Sequence, residues 1–296
     1  MVIFNNVTKC FGDNSGLINA SVHIHRGDFV FLVGPSGAGK TTFIRLILKE
    51  LDPDSGKIVL SGKDITKLPR REIPELRQKI GMVFQDFRLL EKKTVYENVA
   101  FAMEVIHKKK KEIKQRVPYV LKLMDIEDKA DRYPDELSAG EQQRVGIARA
   151  IVNQPRILIC DEPTGNLDPA TAMDIMSLIE QINVRGTTVL MVTHAKDIVD
   201  RMKKRVVAID KGYIVRDEEG SYGFRQEDSE EELYDPSVGY NPEVNIDSSA
   251  MGGKFIEDSS AYGIRSQDFE KSEDNQRDTT SIVDAYLNAG EEFYDE

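Results

Sequence analysis

Apolar residues in this chain come in short bursts set between glycines and mixed polar stretches. Val2 to Phe4 and Ala20 to Ile24 predict short strands, and Asp28 to Val33 predicts a buried strand, with Gly27 before it and Gly34 after it. A helix is expected to follow from Lys40. Further strands are predicted at Lys57 to Leu60, Gly81 to Phe84, Ile157 to Cys160, Thr188 to Val192 and Val206 to Ile209. Several lead into helical periodicity, the alternation that builds an α/β fold. From Asp86 to Leu137 the pattern is mostly helical and long enough for a helical subdomain. After about Asp217 the periodicity fades into Glu, Asp, Ser, Gly and Asn with isolated aromatics, too little apolar surface to offset the entropy of ordering. Residues 1–216 are therefore expected to form one domain, and 217–296 an acidic, disordered extension.

Charge sharpens that boundary. Of 51 acidic and 40 basic side chains in the 296 residues, 23 acidic and 5 basic fall in 217–296, leaving 28 acidic and 35 basic in the first 216. The net charge of −11 is thus a body of +7 carrying a tail of −18. A total read alone would exclude an anionic ligand that the body can attract. Two distant cysteines, Cys10 and Cys160, suit neither a disulfide framework nor a zinc site. The first residues do not read as a secretion signal, and no apolar run approaches the ~18 residues of a spanning helix. The chain is expected in the cytoplasm.

Three segments carry candidate chemistry. Gly34-Pro35-Ser36-Gly37-Ala38-Gly39-Lys40-Thr41, with Thr42 following, fits the phosphate-loop pattern between an apolar strand and a helix. Its glycines let backbone N–H groups face phosphate oxygens, Lys40 supplies a cation, and the Thr41 hydroxyl suits Mg²⁺. Ile157 to Cys160 ends in Asp161 and Glu162, an arrangement for holding Mg²⁺ (Asp161) and for polarising an attacking water (Glu162). On its own it reads equally as a buried strand ending in a solvated acidic turn. Leu137-Ser138-Ala139-Gly140-Glu141-Gln142-Gln143-Arg144 opens a helix, with Ser138 or a neighbour as cap.

The last segment resembles the signature motif of the ATP-binding cassette family, and the resemblance extends over nearly all of residues 1–216. It implies a P-loop nucleotide-binding domain with a RecA-like core, an N-terminal antiparallel β subdomain and a helical subdomain at about 86–137. It also implies ATP and Mg²⁺ as ligands and a homodimer, in which Ser138 and Gly140 contact the γ-phosphate held by the opposite subunit. Phe11 matches the aromatic that stacks on adenine. Gln85 matches the glutamine that senses Mg²⁺ and water, Asp168 lies in the loop that communicates across the dimer, and His194 matches the switch histidine. Ala139 stands where the family usually has glycine, and Glu141 where many members have glutamine.

Val83 to Leu90 and Lys93 to Ala102 resemble a cell-division subgroup of that family. That likeness implies an FtsX-type integral membrane partner, a peripheral position on the cytoplasmic face of the membrane, and control of peptidoglycan hydrolysis. The alternative is the ATPase subunit of a lipoprotein- or macrolide-export transporter. Lys108 to Lys111 reads as a solvated helix face or as a contact to anionic headgroups. The extension holds Tyr222-Gly223-Phe224-Arg225 and Tyr262-Gly263-Ile264-Arg265, 40 residues apart, and further aromatics. It is read either as a segment without required function or as one that binds a further protein and folds on contact.

Overall fold

The structure is a computed structural model that describes residues 1–12 and 14–222. The chain divides into two units, Met1–Arg225 and Gln226–Glu296. The expected disorder of the extension, its repeated tetrapeptide and its aromatic anchors lie outside the described residues, apart from Tyr222.

Two sheets carry the first unit. Strands β1 (Val2–Phe11) and β2 (Asn14–Ile24) pair antiparallel, and β4 (Ser55–Leu60) and β5 (Lys63–Asp64) complete a four-stranded sheet in the order β2-β1-β4-β5. The second sheet has the order β10-β9-β3-β8-β7-β6. Its members are β3 (Phe29–Val33), β6 (Ile80–Val83), β7 (Ile157–Asp161), β8 (Thr188–Val192), β9 (Arg205–Asp210) and β10 (Tyr213–Glu219). All neighbours in it are parallel except β10, which runs antiparallel to β9 at the edge.

Parallel strands of this kind are buried on both faces, so they read as continuous apolar runs. Alternation then assigns each residue to a face. Val30 and Leu32 of β3, Ile157 and Ile159 of β7, and Leu190 and Val192 of β8 join one core with helix α1 (Lys40–Ile47) and the antiparallel sheet. Phe29, Phe31, Leu158, Cys160, Val189 and Met191 join the other. That second core receives α3 (Val95–Glu104), α4 (Lys110–Leu123), α5 (Ala139–Ile151), α6 (Pro169–Val184) and α7 (Lys196–Met202), whereas the short α2 (Ile73–Gln78) contributes Leu76 to the first. Phe4 of β1 stacks on Phe43 of α1, ring centroids 4.2 Å apart, and so ties the antiparallel sheet to the helix.

β1 and β2 extend well beyond the apolar runs that predict them, and β10 lies where no strand is predicted. β1 continues past Phe4 through a register shift, with Asn6 in the left-handed region at φ 48°. The Asn6 N–H donates to Ser21 Oγ at 2.9 Å, and Ser21 Oγ donates to Asn6 Oδ1 at 2.7 Å. This bulge hides the strand, because the inserted polar pair breaks the alternation. β10 reaches Glu219, past the fading at Asp217. Its charged residues are held by main-chain pairing to β9 and by ion pairs, Arg205 with Asp217 at 2.6 Å and Arg216 with Glu218 at 2.7 Å, which is how an edge strand can be charged and ordered.

Between β6 and α5 the segment is helical, as expected. Thr94 caps α3 in a reciprocal box with Glu97. Asn98, fully buried one turn on, accepts from Leu90 N–H at 2.7 Å and donates to the carbonyls of Leu90, Lys93 and Thr94 at 3.0–3.1 Å. One amide thus fixes residues 90–94. Of the lysine run, Lys108 pairs with Glu112 at 3.3 Å, and Lys109 to Lys111 are exposed.

Asn98→Leu leaves those backbone groups without partners, and a loss of about 3 kcal/mol is expected in urea denaturation. The phosphate loop does not touch Asn98, so the Kd for ATP is expected to stay within about threefold of the parent. An unchanged denaturation midpoint would contradict the assigned role.

Candidate nucleotide-binding and hydrolytic site

The predicted site residues are carried at the carboxyl ends of adjacent parallel strands, where open α/β sheets form their crevice. The phosphate loop leaves β3, Asp161 and Glu162 end β7, His194 follows β8, and Gln85 follows β6.

Backbone crowding explains the glycines of the loop. A Cβ at Gly34 would lie 2.1 Å from the Ile209 carbonyl oxygen, and one at Gly39 2.2 Å from that of Gly16. Both have positive φ, 145° and 119°. Only glycine lets the loop press against β9 and β2 in this conformation. Pro35, Ser36 and Gly37 form an exposed crest, closed by Ala38 N–H donating to Pro35 O at 3.2 Å. Gly39 stands at the N-cap of α1 and offers no side chain to the first-turn N–H groups of Lys40, Thr41 and Thr42. Those groups and the helix dipole favour an anion.

Lys40 is buried, and its ammonium donates to Gly34 O at 2.7 Å and Pro35 O at 2.9 Å. Burial lowers its pKa, while Glu162 and Asp161 oppose that shift. Asp161 is pushed upward by burial and by Glu162, and drawn back by Arg88 and Lys40. These mutual fields bring Lys40, Asp161 and Glu162 into one electrostatic neighbourhood.

Glu162 is held firmly. Its backbone is left-handed, φ 48°, its N–H donates to Val192 O at 2.9 Å, and its carbonyl accepts from Gly165 N–H at 3.1 Å. Its Oε1 stands 3.4 Å from His194 Nε2. The Gln85 side chain lies over the same turn, since a Cβ at Gly165 would come within 3.0 Å of Gln85 Nε2. Asn166 fastens it by donating to Gln85 O at 3.1 Å.

Phe11 lies beside the loop. Its ring covers Gly16, where a Cβ would meet Phe11 Cε2 at 2.6 Å and Thr42 Cγ2 at 3.0 Å. It is 43% exposed, an open aromatic face next to α1.

Ser138, Gly140 and Asp168 are grouped separately. Ser138 caps α5, accepting from Glu141 N–H at 3.3 Å, while Glu141 Oε2 accepts from Ser138 N–H at 2.8 Å. The Ser138 N–H above all, then the Ser138 hydroxyl and Lys129, hold the Glu141 carboxyl below its usual range. Glutamate in place of glutamine therefore completes a capping box. Asp168 caps α6, accepting from Ala170 and Thr171 N–H groups, each at 3.1 Å. A Cβ at Gly140 would strike Thr171 Cγ2 at 2.5 Å, so the first turns of α5 and α6 adjoin there. Among the described residues, the contacts recorded for Ser138 and Gly140 are with these neighbours and not with the phosphate loop.

Sequence reasoning missed Gly16, Asn166, Thr171 and Arg149. Arg149 of α5 donates to the carbonyls of Phe87 and Arg88 behind Gln85, at 2.7 and 2.5 Å. Each acts through backbone proximity, and only the glycine offered any signal, as a break within a strand.

A glycine-lined loop, a buried lysine at a helix N-terminus and a carboxylate pair two strands away define a phosphate-loop nucleoside-triphosphatase. Comparison with known proteins narrows that class. The profile of the ABC transporter family matches residues 17–165. The cell division ATP-binding protein FtsE of Bacillus subtilis is 55% identical over 225 residues, 75% of this chain and 99% of the relative. That of Mycobacterium tuberculosis is 55% identical over 226 residues, 75% and 98% of the two chains. The dimeric cassette MJ0796, solved in a post-hydrolysis state with ADP and Pi, is 35% identical with a TM-score of 0.67, covering 76% of this chain and all of its own. The chain belongs to the ATP-binding cassette family, and it is an ATP-hydrolysing cassette of the cell-division type.

The raised carboxyl of Asp161 yields a prediction for the metal- and nucleotide-free protein. A folded pKa above the unfolded one means that stability falls as pH rises from the ordinary carboxylate range through the folded value, and stays lower above it. Asp161→Asn is therefore expected to raise Tm in EDTA at pH 8, with a gain that shrinks as pH is lowered into the carboxylate range. A gain independent of pH, or a lower Tm at pH 8, would show that ionised Asp161 is not disfavoured in the fold.

Proposed function

We propose that two copies of this chain assemble around two ATP molecules and work beneath an FtsX-type integral membrane protein, on the cytoplasmic face of the membrane. The observation that carries the hydrolytic part is the Glu162–His194 pair, 3.4 Å apart, standing across the crevice from buried Lys40. Support for the dimer comes from the similar cassette captured as a dimer with ADP and Pi. Support for the setting comes from relatives named for cell division, and the export alternative is not favoured. Among the described residues no helix is long and apolar enough to cross a membrane, so attachment would run through the partner.

In this assignment the β and γ phosphates take the N–H groups of residues 34–42 and the ammonium of Lys40, which exchanges its two carbonyl acceptors for phosphate oxygens. Phe11 offers its open face to adenine. Thr41, Gln85 and Asp161 would hold Mg²⁺. Among the described residues no three His, Cys, Asp or Glu side chains converge as a cage, which fits an ion whose remaining ligands are phosphate oxygens and water. When bound, the ion neutralises charge developing on the phosphate oxygens. Glu162 accepts hydrogen bonding from the attacking water, and His194 orients that carboxylate and the γ-phosphate. Ser138 and Gly140, at the N-terminus of α5, contact the γ-phosphate on the opposite subunit, and Asp168 reports across the interface.

The cassette, expected from the sequence at residues 1–216, takes in β10 to Glu219, with the helical subdomain assigned at about 86–137. The acidic extension beyond it is read as a segment without required function, the alternative being one that binds a further protein. The work done is control of peptidoglycan hydrolysis across the membrane.

Glu162→Gln is expected to lower the ATPase rate by a factor of 100 or more, written as about 3 kcal/mol of lost transition-state stabilisation, and to trap an ATP-bound dimer in size-exclusion chromatography. Surviving hydrolysis would remove Glu162 from its role. Loss of hydrolysis without a trapped dimer would contradict the two-copy assembly.

A further inference from the structure

Helix α5 starts at the signature segment and passes beneath the backbone that follows Gln85. Near its end, Arg149 Nη2 donates to Phe87 O at 2.7 Å and Nη1 to Arg88 O at 2.5 Å. A planar guanidinium addressing two successive carbonyls fixes both the position and the tilt of that backbone. The backbone needs holding, because Phe87 and Arg88 are both left-handed, φ 57° and 48°, a conformation that side-chain-bearing residues rarely adopt twice in succession. Arg149 is half-buried, and that burial lowers its pKa. Among the described residues no carboxylate forms an ion pair with it, and its two guanidinium hydrogen bonds both go to this segment.

A second group on α5 points the same way. Gln143 is fully buried, and neither its amide oxygen nor its nitrogen has a hydrogen-bond partner. Between it and the segment lies Gly146, where a Cβ would be 3.9 Å from both Gln143 Oε1 and Phe87 O. A buried amide with both halves unsatisfied costs stability unless it bonds in another arrangement of the same elements. The Phe87 carbonyl is an acceptor that faces that space.

We propose that Arg149 is a positioning residue for hydrolysis: it locks residues 85–88 onto α5, so that the signature end of α5 and Gln85 move as one body. Gln143 adds a second attachment, to Phe87 O, when α5 shifts. The γ-phosphate bound by the opposite subunit acts on Ser138 and Gly140, and through α5 it sets Gln85 in this subunit's own site. The coupling runs through a contiguous helix and three identified hydrogen-bonding groups. It rests on the assignment of Gln85 to metal and water.

The test is a double-mutant cycle of Arg149→Lys with Gln85→Ala in the full chain. Lysine keeps the charge but cannot fork across two carbonyls. Arg149→Lys is expected to lower turnover at saturating ATP roughly tenfold, with the Kd for ATP within about twofold, and to lower it less than about twofold when Gln85 is already alanine. If the two losses multiply, the inference is overturned and the role of Gln85 stands. If Gln85→Ala alone leaves turnover unchanged, the role of Gln85 fails and the inference falls with it. Amide exchange over residues 84–90 needs no turnover, and it is expected to rise at least about threefold in Arg149→Lys; unchanged exchange overturns the inference. Gln143→Met keeps volume and removes the unpaired amide. It is expected to raise Tm and lower turnover about threefold; a raised Tm with unchanged turnover overturns the attachment assigned to Gln143.

Discussion

The structure depends on one backbone contact: the loop between β3 and α1 pressed against the carbonyls of Ile209 and Gly16. No side chain fits at Gly34 or Gly39, and no other residue tolerates their dihedral angles without strain. The contact aims the N-terminus of α1 into the crevice and buries Lys40 against its own loop. It also ties both sheets to the phosphate loop, because Ile209 belongs to the six-stranded sheet and Gly16 to the antiparallel one. The order β3-β8-β7-β6 then sets His194, Glu162 and Gln85 at graded distances from that loop without further design.

A second constraint acts on the far side. The first turns of α5 and α6 adjoin at Gly140 and Thr171, each capped by its own side chain, Ser138 or Asp168. Two helix N-termini lie side by side on one surface there, with the carboxylates of Glu141 and Asp168 at their first turns. In the recorded contacts this surface belongs to different elements from those of the phosphate loop. In the proposed assembly the phosphate-loop cradle of one copy meets this surface, the cap, of a second. The pairing is productive only if cap and cradle inform each other, and that is the task assigned to Arg149.

Much of this was legible in the residues. Continuous apolar strands marked the parallel sheet, because both of its faces are covered. The phosphate loop and the signature segment announced themselves through glycine spacing and a capping serine. The bulge at Asn6 hid most of β1, since two asparagines interrupt the alternation there. β10 was not predicted at all, because its charges are paired by Arg205 and Arg216, contacts that form only after folding. The site residues that escaped prediction, Arg149 and Asn166 among them, bind backbone carbonyls 62 and 81 positions away. No local pattern encodes such distances.

The most direct measurement of the central claim, that each hydrolytic site is assembled from two copies, mixes two inactive variants. Lys40→Ala disables the cradle and Ser138→Arg disables the cap. A mixed pair retains one intact site, so equimolar mixing after subunit exchange is predicted to restore about a quarter of the parent ATPase rate. No recovery, in a mixture shown to contain mixed pairs, would contradict a site shared between two copies.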